Sequence, residues 1–430
     1  MKTRLIFLLP LLWVLIGCSD SDTATLNISN SKFDDVSASG ETLTVDINCD
    51  ASWTVTSNKQ WCIPNKQKGE NDGELVLSVN ANLESAPRSA TITIISHKVS
   101  KTILINQKGS TNTTEEYHYE LPVIFHVLYK DENDPSQKVS PSRLSTILNK
   151  VNSLYKNKNN SVDMNLTFTL ATTDKNGETL PIPGVEYIRW SESYPIDCDA
   201  FMNDNTGKYV KYLWDPNSYI NIMIYNFATE PNSNSVTLGI SYIPFSTTGN
   251  NFLEGLNEIS NTHLTLANLK FPLCVSINSL YINNETISNK YDPADVTITL
   301  AHELGHYLGL LHVFDETNNG TCEDTDHCKD TKSYNKQEYD SNCDYIYQNE
   351  RAKYTFNNLV KRTGCDGIGF ISYNIMDYSI SYSNQFTQNQ RERIRHVLSY
   401  SPLIPGPKKG DINTRALNEE PLDLPIRTIK

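Results

Sequence analysis

From Thr25 to Lys108 apolar and polar residues alternate with period two, in "TLTVDINC", "SWTVTS", "ELVLSVNA", "SATITIIS" and "KTILINQ", with turn-forming stretches such as "KGENDG" between them. A period of two sends every second side chain to the same face, which predicts an antiparallel β-sandwich of immunoglobulin size over 25–108. Trp53 and Trp61 lie on such strands, where a large aromatic is usually part of the core. The alternation then stops. Residues 109–116, "GSTNTTEE", are small, polar and aperiodic, the composition of a linker.

Beyond it "YELPVIFHVLYKD" is a near-continuous apolar run fit for a buried strand, and His126 within it reads as a core histidine rather than a ligand. In "SPSRLSTILNKVNSLYK" the spacing becomes helical: Leu144, Ile147, Leu148, Val151, Leu154 and Tyr155 share one face, with Ser140 as cap and Pro141 at the first position. "MNLTFTLAT" and "SYINIMIYNF" are two more strands. This order predicts an α/β domain over 117–400, a twisted sheet backed by helix. "SVTLGISYIP" is a strand interrupted by Gly239, which marks either an ordinary sheet edge or a close backbone approach, including to a bound peptide. The tail 401–430, rich in proline and polar residues, predicts extended or disordered chain.

The segment "DPADVTITLAHELGHYLGLLH" carries the chemistry. Asp292 as cap, Pro293 at the first position and Asp295 in the first turn predict a helix that ends at Gly309. His302 and His306 then stand one turn apart on one face, where two imidazoles can reach a single ion. Glu303 sits one position round, close enough to act on a water at that ion without ligating it. Gly309 lets the chain turn back, so that His312 completes a three-nitrogen site. Three neutral imidazoles with a fourth position open are what catalytic Zn2+ requires, because the ion lowers the pKa of water and polarises a carbonyl.

Composition narrows the setting. Across 430 residues, 37 basic against 50 acidic side chains give a formal charge of -13, which opposes binding to nucleic acid or to an anionic membrane surface. Lys2 and Arg4 precede an apolar run from Leu5 to Ile16, the build of a secretory signal over 1–17 and too short for a comfortable membrane span. Apart from Cys18, eight cysteines remain, an even number in an exported chain, so disulfides are expected, with Cys49–Cys62 the easiest local pairing. Cys322, Cys328 and Cys343 with His327 leave a second zinc site open, although their spacing does not match paired knuckles. In "CEDTDHCKDT", Asp324, Asp326 and Asp330 bring hard oxygen ligands into one loop, which either binds Ca2+ or is a solvated acidic loop.

Three resemblances add to this reading. "LIGC", ending at Cys18, resembles the lipobox of bacterial lipoproteins, and implies acylation of Cys18 and membrane attachment through that lipid alone, at the periplasmic or outer-membrane surface. "ASWTV", "QWCIP", "APRSATITI" and "INQKGS" resemble the BACON domain, which implies a spacer or a glycan- or mucin-binding module. "HELGHYLGLLH" with "YNIMDYS" is similar to the metzincin zinc signature and its Met-turn. Together with "LPVIFHVLY", "CKDT" and "NQFTQNQRERIRHVL", it is most similar to the pappalysin family over about Tyr117 to Tyr400. That likeness implies Met376 beneath the metal, Tyr378 as a hydrogen-bond donor to the tetrahedral intermediate, and a protein or peptide substrate. The family's Asp-Thr-Pro stands here as Asp330, Thr331 and Lys332, a departure in the loop that shapes its pocket. The expected activity is zinc-dependent endopeptidase; a glycan-binding surface lipoprotein with an inert zinc domain is the alternative, and a latent protease a third.

Overall fold

A computed structural model describes the chain from Thr25 to Lys430, apart from residues 60, 83, 111–115, 159–160, 175–176, 230–235, 262, 289, 318–321, 379 and 410–419. The signal segment, Cys18 and most of the expected linker lie outside the described residues.

The alternating N-terminal stretch forms two facing sheets. One orders its strands Leu26–Ile28, Glu41–Cys49, Gly73–Val79, Cys62–Pro64; the other orders Lys32–Val36, Val99–Gln107, Arg88–Ser96, Ser52–Ser57, Lys68–Glu70. Val45, Ile47, Leu75, Leu77, Ile92, Ile94, Ile103 and Ile105 fill the space between. Trp53 and Trp61 are both buried, as the alternation requires. The pairing expected between Cys49 and Cys62 is not made: both thiols are free. Cys62 aligns with Val79, which pairs with Glu41, at the opposite end of the long strand from Cys49. Eight residues of strand at ~3.4 Å each put the two about 27 Å apart, beyond any disulfide. Among the described residues the disulfide is Cys322–Cys365.

The second part has a mixed sheet built from β1 (Tyr119–Tyr129), β2 (Leu166–Leu170), β3 (Val185–Arg189), β4 (Ile220–Tyr225), β5 (Gly239–Tyr242), β6 (Val275–Asn278) and β7 (Thr428–Ile429). The order is β2-β1-β4-β6-β5-β7, with β3 also on β1. Strands β1 to β4 and β6 run parallel, whereas β5 is antiparallel to both its neighbours. Helix α1 (Pro141–Tyr155) starts as its sequence predicts, with the Ser140 side chain accepting from the Arg143 amide and Pro141 in the first turn. Its face of Leu144, Ile147, Leu148, Val151 and Tyr155 is buried against the sheet core. The Tyr155 hydroxyl donates to the Ala301 carbonyl (3.0 Å), which fixes α1 to α2 (Val296–Tyr307).

Helix α2 is buried on nearly every side, so packing holds its β-branched start "VTIT" helical despite weak intrinsic propensity. Its cap differs from expectation. Asp295, not Asp292, accepts from the Thr297 and Ile298 amides, and Pro293 lies before the helix. Asp292 instead accepts from the Ala294 amide (2.9 Å) and its carbonyl from the Asp295 amide (3.2 Å), making a turn that delivers Asp295 to the cap. At the other end Gly309 takes φ +94°, and the Leu310 and Gly309 amides donate back to Gly305 and His306, a glycine-terminated helix end. The insert that follows carries α3 (Lys336–Asn349), and α4 (Gln388–Tyr400) closes the domain behind a Thr387/Gln390 capping box.

Candidate metal centre

Helix α2 places His302 and His306 on one face, and the turn at Gly309 returns His312 to them. Their Nε2 atoms lie 2.9, 3.2 and 3.2 Å apart. Each opposite nitrogen is committed: His302 Nδ1–H donates to the Ile375 carbonyl (2.7 Å) and His306 Nδ1–H to the Leu310 carbonyl (2.8 Å). His312 Nδ1 is hydrogen-bonded to the Glu316 carboxylate. Those bonds fix the tautomers, so three Nε2 lone pairs face one another with no proton between them. Such a cluster is repulsive unless a cation fills it. Tetrahedral ligands at ~2.0–2.1 Å from zinc stand about 3.3 Å from each other, so the spacing fits. Burial holds His302 down to about 4, and burial followed by the neighbouring imidazoles lowers His306 further, keeping the nitrogens unprotonated as ligands must be. Among the described residues this is the one group of three or more candidate ligands; Cys322, Cys328 and Cys343 do not converge on a second.

Glu303 is 3% exposed and its Oε2 has no hydrogen-bond partner. Burial pushes its carboxyl well above the usual carboxylate range. The interruption at Gly239 now has its reason: a Cβ there would sit 2.6 Å from Glu303 Cγ and 2.7 Å from Oε1. Strand β5 therefore approaches closely to Glu303.

The turn that carries Met376 lies beneath. A Cβ on Gly305 would stand 2.5 Å from Met376 Sδ, so this glycine lets the methionine fit under the histidines. Asn374 Oδ1 accepts from the Met376 amide (2.8 Å) and Asn374 also pairs with Gln390 of α4. The Tyr378 ring stands edge-on to His312 (4.5 Å between centroids) and against Phe314 (4.8 Å).

Sequence reasoning missed three groups. Glu316 orients His312, and its i+4 spacing from that ligand was the available signal. Asp377, between Met376 and Tyr378, accepts from Tyr334 Oη (2.6 Å), the Tyr378 amide (2.8 Å) and Ser372, and stands 3.4 Å from Arg362; both charged side chains are 1% exposed. Arg362 belongs to the polar insert and is stacked on Tyr339, an arrangement no spacing announces. The third is Arg427, whose charge reaches both His306 and Glu316. In the acidic loop, Asp326 is 2% exposed with one carboxylate oxygen unpartnered, and burial, reinforced by Asp324, raises it to about 7. Asp330 accepts from the Asn389 amide instead.

Residues 273–399 match the family described as pregnancy-associated plasma protein-A, a peptidase family, and residues 51–108 match the BACON domain, described as an N-terminal binding domain. An extracellular metalloprotease of Arthroderma otae is 39% identical over 98 residues, 22% of this chain and 29% of its own length. The chain thus spans under a third of that curated relative. A xyloglucan-specific endo-beta-1,4-glucanase of Bacteroides ovatus is 32% identical over 121 residues, 26% of this chain and 23% of its own. Mature mirolysin of Tannerella forsythia, solved with a cleaved peptide, is 20% identical with TM-score 0.44, covering 65% of this chain and 92% of that one.

Proposed function

We propose, taking as premise that residues 273–399 are a metzincin-type peptidase segment of the pappalysin family, that the protein is a zinc-dependent endopeptidase. The carrying observation is the convergence of three unprotonated Nε2 atoms beside a buried, unpartnered carboxylate. A Zn2+ ion held by His302, His306 and His312 would supply Lewis acidity, lowering the pKa of water to about 7 and polarising the scissile carbonyl.

The chain's own groups do the rest. Glu303, pressed into place by β5, takes the proton of the attacking water and passes it to the leaving amine. Its raised affinity for a proton suits that exchange, since a carboxylate of ordinary pKa would be a weak base. Tyr378, whose ring rests on His312 and Phe314, would donate its hydroxyl to the oxygen on which negative charge develops. Glu316 and the Ile375 and Leu310 carbonyls hold the imidazoles in the ligating tautomer. Export and attachment through a lipid on Cys18 complete the proposal, supported by the "LIGC" ending; a Cys18→Ala chain still in the membrane fraction would reject the anchor. Calcium at Asp324 and Asp326 is supported by the unpartnered Asp326 oxygen. For the glycan-binding alternative, both sandwich tryptophans are in the core and offer no exposed platform.

The test is reconstitution. Chelation should abolish cleavage of a denatured protein substrate, and one equivalent of Zn2+ should restore it. Full cleavage by metal-free protein would overturn the proposal.

A further inference from the structure

Strand β5 is where an extended peptide would add itself, because its outer edge runs past Gly239 and Glu303 and a sheet edge offers unpaired backbone groups. That edge is not free. Ser241 and Tyr242 pair antiparallel with Ile429 and Thr428, and the Ile243 amide donates to the Arg427 carbonyl (3.0 Å). Of the two alternatives expected for the tail, extended or disordered, its last ten residues take the extended one, and they are docked. Leu422, Leu424, Ile426 and Ile429 pack on the domain core. The Leu422 amide donates to the Asn268 carbonyl (3.1 Å), and Asn268 Nδ2 to the Glu420 carbonyl (2.9 Å). The Arg427 guanidinium donates to the Gly255 carbonyl, and Lys430 pairs with Asp199. Apolar anchors at alternate positions, a ladder of backbone bonds and a cation with a carbonyl acceptor are how a sheet edge binds a peptide strand. In this register Lys430 stands opposite Ile240, one step short of Gly239 and the catalytic carboxylate.

We propose that residues 421–430, "PLDLPIRTIK", are a tethered competitor that fills the part of the substrate groove along β5, and that a peptide binds there only when this strand leaves. The inference rests on the endopeptidase reading for the identity of the displaced ligand, though not for the docking itself. Tethering favours the docked state, since a segment joined to the chain acts at an effective concentration near the millimolar range. The ladder itself is short, two residue pairs and the Ile243–Arg427 bond, so the strand can be displaced.

The same alternation fixes which variant releases it. Because the Ile243 amide bonds to Arg427, the next bonded pair in an antiparallel ladder is Ser241 with Ile429. Ile429→Pro removes that amide while leaving Leu422, Leu424 and Ile426 to pack. If the strand is docked in about nine molecules of ten, its release lowers the apparent KM for a peptide substrate about tenfold with kcat unchanged. Deletion of 421–430, which also takes Arg427 away from His306 and Glu316, should lower the apparent KM likewise, and a thermal melt reports whether each variant is folded.

A second readout needs no turnover. In the Glu303→Gln background, fluorescein-labelled PLDLPIRTIK should bind the Ile429→Pro or truncated chain at least about tenfold more tightly than the full chain. Equal binding to folded full-length and released chains, or an unchanged KM in both variants, would overturn the proposal. A wild-type chain that cleaves nothing would defeat the endopeptidase reading alone, and the labelled peptide would still decide whether the tail fills the groove.

Discussion

Gly239→Ala isolates the positioning of Glu303, the proposed general base, from everything else in the site. Gly239 does not have a positive φ, so alanine introduces no backbone strain. What it introduces is one methyl group whose carbon would stand 2.6 Å from Glu303 Cγ and 2.9 Å from its Cδ. Carbon atoms in ordinary contact are ~3.5–4.0 Å apart, so Glu303 must retreat by about 1 Å or β5 must lift. Neither is free in a buried site, and overpacking of this kind costs about 1–3 kcal/mol of stability. A misplacement of about 1 Å in a reacting group can cost roughly a hundredfold in rate. The expected result is therefore a kcat about two orders of magnitude lower, at full zinc occupancy and with a modest fall in Tm. A fluorogenic peptide assay, metal analysis and calorimetry on the same preparation read all three. A kcat within about twofold of the parent in a zinc-loaded protein would refute the claim that β5 positions Glu303.

Tyr378→Phe keeps the contacts with His312 and Phe314 and removes only the hydroxyl; kcat should fall about a hundredfold with KM and zinc content nearly unchanged, and a rate within about twofold would leave the residue a packing role. Asp326 gives a pH prediction. Its folded pKa is raised to about 7, against ~3.9 in an unfolded chain, so the native state holds the extra proton between those values. Metal-free protein should lose stability as pH rises from about 4 to about 7, and Ca2+ should raise Tm near pH 7 but hardly near pH 4; a Tm indifferent to calcium at both would remove the site. Arg362→Met should destabilise the folded protein by about 3–5 kcal/mol, because it leaves the buried Asp377 carboxylate without its cation, and an unchanged Tm would show that the pair does not brace the Met-turn.

Most of the fold was legible because burial writes itself as period. The alternation of 25–108 gave the sandwich, and five of the six apolar positions read in α1 make its buried face. The candidate metal ligands were legible for a related reason: a helical turn and a glycine end bring His302, His306 and His312 together by local geometry alone. The misreadings were about contacts distant in sequence. Asp292 and Asp295 are both competent caps, and only packing decides between them. Cys49 and Cys62 are near in sequence yet stand at opposite ends of the sheet, on strands separated by Gly73–Val79. In the tail, Pro425 masked the alternating leucines and isoleucine that dock it, and nothing local could reveal that β5 was the partner. Arg362 and Asp377, fifteen residues apart across a polar insert, likewise meet only in three dimensions.

The central claim is that His302, His306 and His312 hold a catalytic zinc on which Glu303 acts as base. Glu303→Gln tests it most directly, because the amide keeps the shape of the side chain and cannot take the proton. Measured on one preparation, zinc stoichiometry should stay at one per chain while peptide hydrolysis falls by about two orders of magnitude or more. Undiminished hydrolysis by the zinc-loaded variant, or a variant that binds no zinc, would contradict the account.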